Sequence, residues 1–560
     1  LALLVLGCFG LLAWRLYNLQ VLRYDELAQR AETNRTAVVP IVPNRGEILD
    51  RNGVVLATNY KSYTLEITPS RTGRPLAETI DAISEVVEIT ARDRRRFERL
   101  RQDTKSFESL PIRTRLSEEE VARFAAQRYR FPGVEVKARL FRTYPLGETG
   151  AHVIGYIGRI NQREKERIEE SDEVANYRGT DYIGKLGIES SYEQALHGTT
   201  GVEQMETSAG GHAVRRLASH PATPGESIRL SLDINLQKMV EDLYGELRGA
   251  LVAIDPRNGE ILAFVSKPGY DPNLFVDGID HESWAELNES LDKPLLNRAL
   301  RGTYPPGSTY KPFMGLAALE TGKRLPGTTI MDGGSWTFAG HTFRSGHALG
   351  AVDLHRSIVK SSNVYYYMLA NDMGVNAIHD FMKPLGFGQI TGIDIPGETR
   401  GVLPSTEWKR HTYKRPEQQR WYAGETISLG IGQGYNAFTM LQLASATATL
   451  AAGGVRHTPH LVKARQDAVS QQVIEVPQPP GQPLGYKADH VNRVLRAMVG
   501  VTLEGTSRGV FAGAPYLSGG KTGTAQAVSI GQKSRYNAAK LAEHQRDHSL
   551  YIAFAPAEAP

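Results

Sequence analysis

The chain has 560 residues, 41% of them hydrophobic, so it is too long for one domain and can bury more than one core. Its 65 basic and 61 acidic residues leave a net charge of only +4, which gives no reason to expect nucleic-acid binding. The single cysteine excludes an intrachain disulfide and a cysteine-based metal cluster.

The N-terminal segment, residues 1–22, is almost entirely apolar, with Arg15 as its one charge. A full membrane span needs about 20 apolar residues, so we expect a transmembrane anchor that begins upstream of Leu1. A cleavable signal peptide is the alternative, but no small-x-small cleavage site follows. The apolar run also continues past Cys8, which favours an uncleaved anchor over a lipoprotein signal.

The next part of the chain, residues 23–228, reads as an elongated pedestal. Apolar and polar residues alternate over residues 35–69, and strand-like sequence returns over residues 134–160. Between them the sequence changes to charged helical periodicity, with Ser117 as a typical N-cap. We therefore predict a helical head, about residues 70–145, inserted in a β-rich pedestal.

The third part, residues 229–560, is predicted to be the catalytic domain. It begins with a helix expected at residues 235–247, after a break at Pro224. With the anchor and pedestal, this makes the fold class α+β and multidomain.

Three short motifs in this domain point to acyl transfer: Ser-x-x-Lys at Ser308 and Lys311, Ser-x-Asn at Ser361 and Asn363, and Lys-Thr-Gly at Lys521. A serine hydroxyl is a weak nucleophile until a neighbouring base removes its proton. If Ser308 opens a helix, Lys311 lies one turn along on the same face. To act as a base Lys311 must be neutral, so we expect burial or a nearby positive charge, such as Lys521, to lower its pKa.

The third motif continues through Thr522, Gly523 and Thr524, within a segment of strand character at residues 517–528. Glycines let the backbone of such a strand approach a substrate closely.

The spacing of one motif alone is weak evidence. Ser-x-x-Lys also occurs at Ser357 and Ser518, and roughly one or two matches are expected by chance in a chain of this length. The ordered set is much more specific, because it is the signature of penicillin-binding proteins and class A β-lactamases, with Ser362 here in place of the usual Asp.

Three further stretches extend this resemblance over nearly the whole chain, namely residues 45–53, 184–198 and 249–263. With them the chain resembles the class B penicillin-binding proteins, which are D,D-transpeptidases of peptidoglycan synthesis. Residues 430–435 and an insert at residues 536–548 are most similar to penicillin-binding protein 2, the elongation-specific branch of rod-shaped Gram-negative bacteria.

The resemblance implies a fold and a setting. Residues 229–560 should form a transpeptidase domain, an antiparallel sheet flanked by helices, with another strand and a helix expected downstream of Pro560. The implied location is the bacterial inner membrane, single-pass, with the catalytic domain in the periplasm. The implied partners are peptidoglycan stem peptides, β-lactams, a membrane glycosyltransferase of the rod-shape SEDS family and other elongation-complex proteins.

The resemblance also implies catalytic roles. Ser308 attacks the carbonyl of the penultimate D-Ala of a stem peptide, and Lys311 takes its proton. Ser361 relays a proton to the leaving amine, while Asn363 hydrogen-bonds the donor peptide and steadies Lys311. Lys521 completes the catalytic set.

The substrate-binding residues implied are Thr522, Gly523 and Thr524, which with Lys521 hold the terminal carboxylate. The backbone N–H groups of Ser308 and Thr524 are the expected oxyanion hole.

Two other function classes stay open at the level of the sequence. A D,D-carboxypeptidase or β-lactamase would share the serine and both lysines, and a non-catalytic scaffold would act by binding the glycosyltransferase. Asp332, His341, His347 and His355 lie close in sequence, but their spacing matches no metal motif, so we expect neither a metal nor a cofactor.

Overall fold

The structure is a computed structural model, and it describes residues 2–25, 27, 36–103, 109–207, 213–525 and 546–560. Part of the predicted insert, residues 536–545, lies outside the described residues.

The N-terminal segment is helical, as an α-helix Ala2–Tyr17 and a π-helical turn Asn18–Leu22. Together these 21 residues have a mean hydropathy of 1.6, and none of them is buried. A helix of this length is about 30 Å long, which matches the hydrocarbon thickness of a bilayer. The segment therefore fits a single-pass membrane anchor.

A seven-stranded sheet forms the centre of the pedestal. Its longest strand, Val55–Ile67, pairs antiparallel with Val134–Thr143 over ten residues. The strands follow one another in the order Val473–Glu475, Val462–Gln466, Ser227–Leu230, Ile48–Leu49, Val55–Ile67 and Leu110–Leu116. Two of these strands, Val462–Gln466 and Val473–Glu475, come from the catalytic part of the chain. The expected boundary at residues 228/229 falls inside a third strand of the sheet, Ser227–Leu230.

Smaller elements complete the pedestal. They are a three-stranded sheet of Thr36–Ile41, Gly201–Thr207 and Ala213–His220, a strand pair of Ile157–Arg159 and Tyr182–Gly184, and short helices at Ala151–Ile154, Gln162–Glu169, Gly187–Ser191 and Glu193–His197.

The head contains the helices Leu76–Ser84, Ala91–Asp103 and Glu118–Gln127 and the 3₁₀ turns Pro69–Arg71 and Arg128–Arg130. Its core is apolar, with Ile83, Phe97 and Phe124 at most 1% exposed. The predicted N-cap is confirmed, since the Ser117 hydroxyl accepts from the Glu120 N–H at 3.2 Å and the Glu120 carboxylate accepts from the Ser117 N–H at 2.8 Å.

A buried carboxylate joins distant parts of the pedestal. Glu189 is fully buried and accepts hydrogen bonds from Arg45 and Arg142, each at 2.7 Å, and from the Tyr144 hydroxyl at 3.1 Å. The Tyr144 backbone N–H then donates to Asn273 in the catalytic part at 3.0 Å. The two N-terminal stretches that resemble the family therefore meet at one ion-paired centre beside the catalytic domain.

The catalytic part begins with the predicted helix, observed as Ile234–Tyr244, which packs against a hairpin of Gly249–Ile254 and Ile261–Lys267. Gln237 ties the helix to this hairpin, because its amide exchanges hydrogen bonds of 3.0 and 2.7 Å with the backbone of Phe264.

Helices form most of the remaining catalytic part. They are Asn273–Val276, His281–Glu289, Arg298–Arg301, Gly307–Tyr310 (3₁₀), Lys311–Glu320, Leu354–Val359, Asn363–Met373, Val375–Met382, Thr406–Thr412, Pro416–Gln419, Ala423–Leu429, Met440–Ala451, Ala488–Leu503 and Arg508–Phe511. The strand pairs are Thr303–Tyr304 with Phe438–Thr439, Ile330–Asp332 with Gly350–Val352, Ser335–Phe338 with His341–Arg344, Val455–Arg456 with Gln482–Pro483, and Gly519–Ala525 with His548–Phe554.

The main hydrophobic core surrounds the helix Lys311–Glu320. Phe313, Leu316 and Tyr366 are fully buried there together with Met498. The candidate nucleophile therefore lies at the start of a helix that is held on all sides.

Candidate active site

The turn that carries Ser308 is a 3₁₀ helix, Gly307–Tyr310, which leads directly into the α-helix Lys311–Glu320. The Lys311 backbone N–H donates to the Ser308 carbonyl. In such a turn the side chains of residues three apart eclipse one another. Ser308, which is half-buried, and Lys311 therefore project from the same side of the turn.

The α-helix that follows consists mostly of good helix formers, with one proline in its first turn and one glycine, Gly315, in its middle. Pro312 is tolerated there because its missing N–H has no partner inside the helix. Every residue from 311 to 319 is buried, Lys311 included. Burial of the whole segment fixes the lysine side chain in one position.

The second motif forms a strained turn between the helices Leu354–Val359 and Asn363–Met373. Ser361 has φ +57°, which is uncommon for a residue other than glycine. Ser362 caps the second helix by accepting from the Tyr365 N–H, and its hydroxyl donates to the buried Asp332 carboxylate at 2.5 Å. This anchor orients the Ser361 side chain and carbonyl.

The Lys311 amine contacts this turn directly. Its Nζ donates to the Ser361 carbonyl at 2.8 Å, to the Ser361 Oγ at 3.1 Å and to the Asn363 Oδ1 at 2.7 Å. The first two motifs, fifty residues apart in sequence, thus form one hydrogen-bonded group.

Lys521 enters the same group from the strand Gly519–Ala525. Its Nζ donates to the Ser361 Oγ at 2.9 Å and to the Thr522 carbonyl at 3.0 Å. When both amines carry their protons, the Ser361 hydroxyl oxygen therefore accepts from two donors, and its own hydrogen points elsewhere.

Both amines lie in an environment that disfavours their charged forms. Burial lowers the pKa of Lys521 from 10.5 to about 7. Burial, and then the positive charge of Lys521, lower the pKa of Lys311 well below its usual value, while Asp332 opposes the shift. The direction agrees with the expectation from the sequence, and it makes neutral Lys311 accessible as a proton acceptor.

The strand Gly519–Ala525 and the turn that carries Ser308 are in close contact, with no room for a side chain between their backbones. A Cβ on Gly523 would lie 2.7 Å from the Thr309 Cγ2, and a Cβ on Gly307 would lie 2.4 Å from the Thr524 carbonyl oxygen. Glycine at both positions permits the approach. The Thr522 hydroxyl pairs with Thr506 at 2.8 Å, and Thr524 is exposed.

The other serines with the same spacing lie elsewhere. Ser357 is buried within the helix Leu354–Val359 and bonds to the Leu354 carbonyl and the Tyr366 hydroxyl. Ser518 is also buried, and its backbone carbonyl accepts from Thr502. Neither belongs to the hydrogen-bonded group around Lys311.

The histidines and the carboxylate considered as a metal site do not converge. Asp332 accepts from Ser362 and from the Gly334 N–H, and His355 faces Glu504 at 3.6 Å. Over the described part of the chain, no three His, Cys, Asp or Glu side chains form a group that could hold a metal ion.

Sequence reasoning missed one residue at the site, Gln433, whose side-chain amide donates to the Thr524 carbonyl at 2.8 Å. It belongs to the glycine-rich stretch at residues 430–434. Gly432 and Gly434 in this stretch have φ values of +72° and +73°, which are typical of glycine in tight turns. The polar side chain of Gln433 between these two glycines was the sequence feature that could have indicated a contact with the site.

Comparisons with known proteins show the family to which the chain belongs. The model of the penicillin binding protein transpeptidase domain matches residues 249–560, and that of the penicillin-binding protein dimerisation domain matches residues 40–230. The chain is 41% identical over 560 residues to the peptidoglycan D,D-transpeptidase MrdA of Escherichia coli K12, covering 98% of this chain and 87% of that protein.

Two solved structures are similar over most of both chains. The penicillin-binding protein PBP2 of Helicobacter pylori, solved in complex with MreC, has a TM-score of 0.77 and 26% identity and covers 94% of this chain and 93% of its own. PBP2 of Pseudomonas aeruginosa, in complex with WCK 5153, has a TM-score of 0.69 and 36% identity and covers 94% and 90%. The chain therefore belongs to the class B penicillin-binding proteins, which join a dimerisation domain to a transpeptidase domain.

Proposed function

We infer that the protein is a peptidoglycan D,D-transpeptidase that cross-links stem peptides during cell elongation through an acyl-enzyme on Ser308. The observation that carries this function is the buried Lys311 amine, hydrogen-bonded to Ser361 and Asn363 and held by its surroundings toward the neutral form. An amine in that state, one turn along from a serine, is a base for acyl transfer.

The acylation step uses the two residues of the first motif. The Ser308 Oγ attacks the carbonyl carbon of the penultimate D-Ala while its proton passes to the Lys311 Nζ. The carbon–nitrogen bond then breaks, and a proton relayed through the Ser361 hydroxyl leaves with the amine of the terminal D-Ala. The amine of a second stem peptide then attacks the ester carbonyl. Its C–N bond forms as the bond to the Ser308 Oγ breaks, and the proton that the amine loses passes through Lys311 to the Oγ, which regenerates Ser308. The acceptor role of the Ser361 oxygen toward both lysines supports the relay, since its hydrogen is available to the leaving group.

The strand Gly519–Ala525 is proposed to bind the substrate. Lys521, Thr522 and Thr524 would hold the terminal carboxylate, and Gly523 would let the backbone approach. The Ser308 and Thr524 N–H groups would form the oxyanion hole. The close contact of the Gly307 turn with the Thr524 backbone supports this pairing.

The same proposal covers location and partners. The helix Ala2–Leu22 would cross the inner membrane once and leave the catalytic domain in the periplasm. β-Lactams would be trapped at Ser308. A membrane glycosyltransferase of the SEDS family and other elongation-complex proteins would be the partners, in line with the MreC complex of the Helicobacter pylori relative.

The test is cross-linking of purified glycan strands by the membrane-inserted protein, with the products identified by mass spectrometry. The wild type is expected to form cross-linked dimers with release of D-Ala, and Ser308→Ala to form none. Release of D-Ala without dimers would assign a carboxypeptidase instead. Dimers formed by Ser308→Ala would contradict the nucleophile.

A further inference from the structure

The loop of residues 430–434 touches both pieces of backbone that flank the nucleophile. The Gly307 N–H donates to the Gly432 carbonyl at 3.0 Å, and the Gln433 side-chain amide donates to the Thr524 carbonyl at 2.8 Å. One short loop thus holds the turn that carries Ser308 and the strand that carries Lys521.

The three segments are stacked without side chains between them. A Cβ on Gly432 would lie 2.2 Å from the Gly307 carbonyl oxygen, just as a Cβ on Gly307 would meet Thr524 at 2.4 Å. Both glycines have positive φ, +72° and +55°. Movement of the loop would therefore move the turn and the strand relative to each other.

The loop itself has a rigid base. The Gln433 N–H donates to the Ser428 carbonyl at 3.0 Å, and the Tyr435 hydroxyl donates to the Glu425 carboxylate at 3.0 Å. That carboxylate pairs with the buried Lys409 at 2.7 Å, whose amine lies 5.5 Å from the centre of the Tyr435 ring. The Gln433 side chain therefore extends from a fixed frame.

Gln433 binds the carbonyl oxygen of Thr524, the residue whose N–H is an expected donor of the oxyanion hole. Within a β-strand the N–H and the carbonyl of one residue point to the same edge, as the paired bonds of an antiparallel ladder require. The Gln433 amide, bound to the Thr524 carbonyl, therefore lies on the strand edge toward which the Thr524 N–H also points.

We propose that Gln433 is a positioning residue for acyl transfer, which orients the Thr524 backbone and thereby sets the oxyanion hole against Ser308. The inference rests on the proposed function, because it concerns the same reaction. Gln433 contacts neither the nucleophile nor its base, so it acts through Thr524.

The test compares Gln433→Glu with Gln433→Ala, and the exposed Gln418→Ala serves as a control. Saturation kinetics with a fluorescent penicillin separate the non-covalent dissociation constant from the rate constant of acylation, and Tm reports folding. Loss of an oxyanion donor costs about 10²- to 10³-fold, and misplacement by about 1 Å up to about 10²-fold. We expect acylation to slow by about 10- to 100-fold in both variants with the dissociation constant unchanged, and deacylation to slow as well.

The isosteric Glu separates positioning from packing. Glutamate fills the same space but offers no donor, so Gln433→Glu should be at least as slow as Gln433→Ala. Acylation of Gln433→Glu at the wild-type rate, or an effect confined to the dissociation constant, would overturn the inference. Absence of labelling at Ser308 in the wild type would instead overturn the proposed function.

Discussion

Two lysine amines flank one serine hydroxyl at the centre of the site. Lys311 and Lys521 are fully buried, and both donate to the Ser361 oxygen. Two positive charges so close in a water-poor site repel each other, so the charge on one amine favours the neutral form of the other. The charge of Lys521 is one of the causes that lower the pKa of Lys311, which supports the proposed roles of Lys311 as base and Lys521 as the cation for a carboxylate.

The pH dependence of acylation should report this coupling. Lys311 must be neutral to accept a proton, so acylation falls as pH decreases through its pKa. Lys521→Met removes a positive neighbour, which raises the pKa of Lys311 and should move the acid limb of the profile to higher pH. The measurement is the second-order rate constant of acylation between pH 5 and 9, about the range in which such groups titrate. A limb that stays in place would contradict the coupling.

The same variant should change stability with a predictable sign. The pKa of Lys521 is about 7 in the folded protein and about 10.5 when unfolded, so between these values the unfolded chain binds more protons. Its burial therefore costs stability at pH 7, a cost that fades as pH rises toward 10.5. Lys521→Met should raise the free energy of unfolding by about 1–2 kcal/mol at pH 7 and by less at pH 10. Urea denaturation at both pH values measures this, and a gain that grows with pH would contradict it.

At the scale of elements, the site depends on how closely a strand and a turn approach. Gly523 in the strand and Gly307 in the turn leave no room for a side chain between them. The loop of residues 430–434 packs against both the strand and the turn. These backbone contacts, more than any single side chain, set the distance between Ser308 and the strand.

Gly523→Ala should therefore impair acylation. Its methyl group would approach the Thr309 Cγ2 to 2.7 Å and the Pro306 carbonyl to 3.0 Å, so the strand must shift. Displacement of the expected oxyanion hole should slow acylation by about 10²-fold. Penicillin labelling measures the rate, with Gly424→Ala as the control, because a Cβ there meets nothing within 4 Å. Equal labelling of Gly523→Ala and the wild type would contradict the role of this contact.

Local patterns could be predicted from the sequence, whereas contacts between distant segments could not. The Ser117 cap and the helix Ile234–Tyr244 follow from local rules, and the approach of Lys521 to Lys311 followed from the motifs. The positive φ of Ser361 and the bond from Gln433 to Thr524 depend on backbone brought together from distant positions. No local periodicity encodes such contacts.

At the scale of the whole molecule, the pedestal and the catalytic domain share structure. The strand Val462–Gln466 pairs with Ser227–Leu230 in the pedestal sheet, and Tyr144 links Glu189 to Asn273. The sequence pattern predicted the pedestal, the head and the catalytic part, but it did not reveal a strand that returns to the pedestal sheet from more than 200 residues downstream. The two parts should therefore resist independent unfolding.

Glu189→Ala tests the contact between the pedestal and the catalytic domain, which runs from Glu189 through Tyr144 to Asn273. Burial opposes ionisation of Glu189, but Arg142 and Arg45 outweigh it and lower the pKa of the carboxyl. Removal of the carboxylate leaves Arg142 without its buried partner and Arg45 with Glu193 alone, which should cost about 3–5 kcal/mol of unfolding free energy. Urea denaturation measures the loss, with the exposed Glu169→Ala as control.

In the wild type the stability contributed by ionised Glu189 should be present above pH 4.5 and vanish as pH falls through the lowered pKa of its carboxyl. A loss no larger than in the control would contradict the account.

The most direct test of the central claim is the site of acylation by a penicillin. Intact-protein mass spectrometry would detect one bound acyl group, and peptide mapping would locate it. We expect a single, slowly hydrolysed adduct on Ser308, lost in Ser308→Ala and formed at least about 10³-fold more slowly in Lys311→Met, with both variants folded. An adduct on another residue, or undiminished labelling of Ser308→Ala, would contradict the central claim.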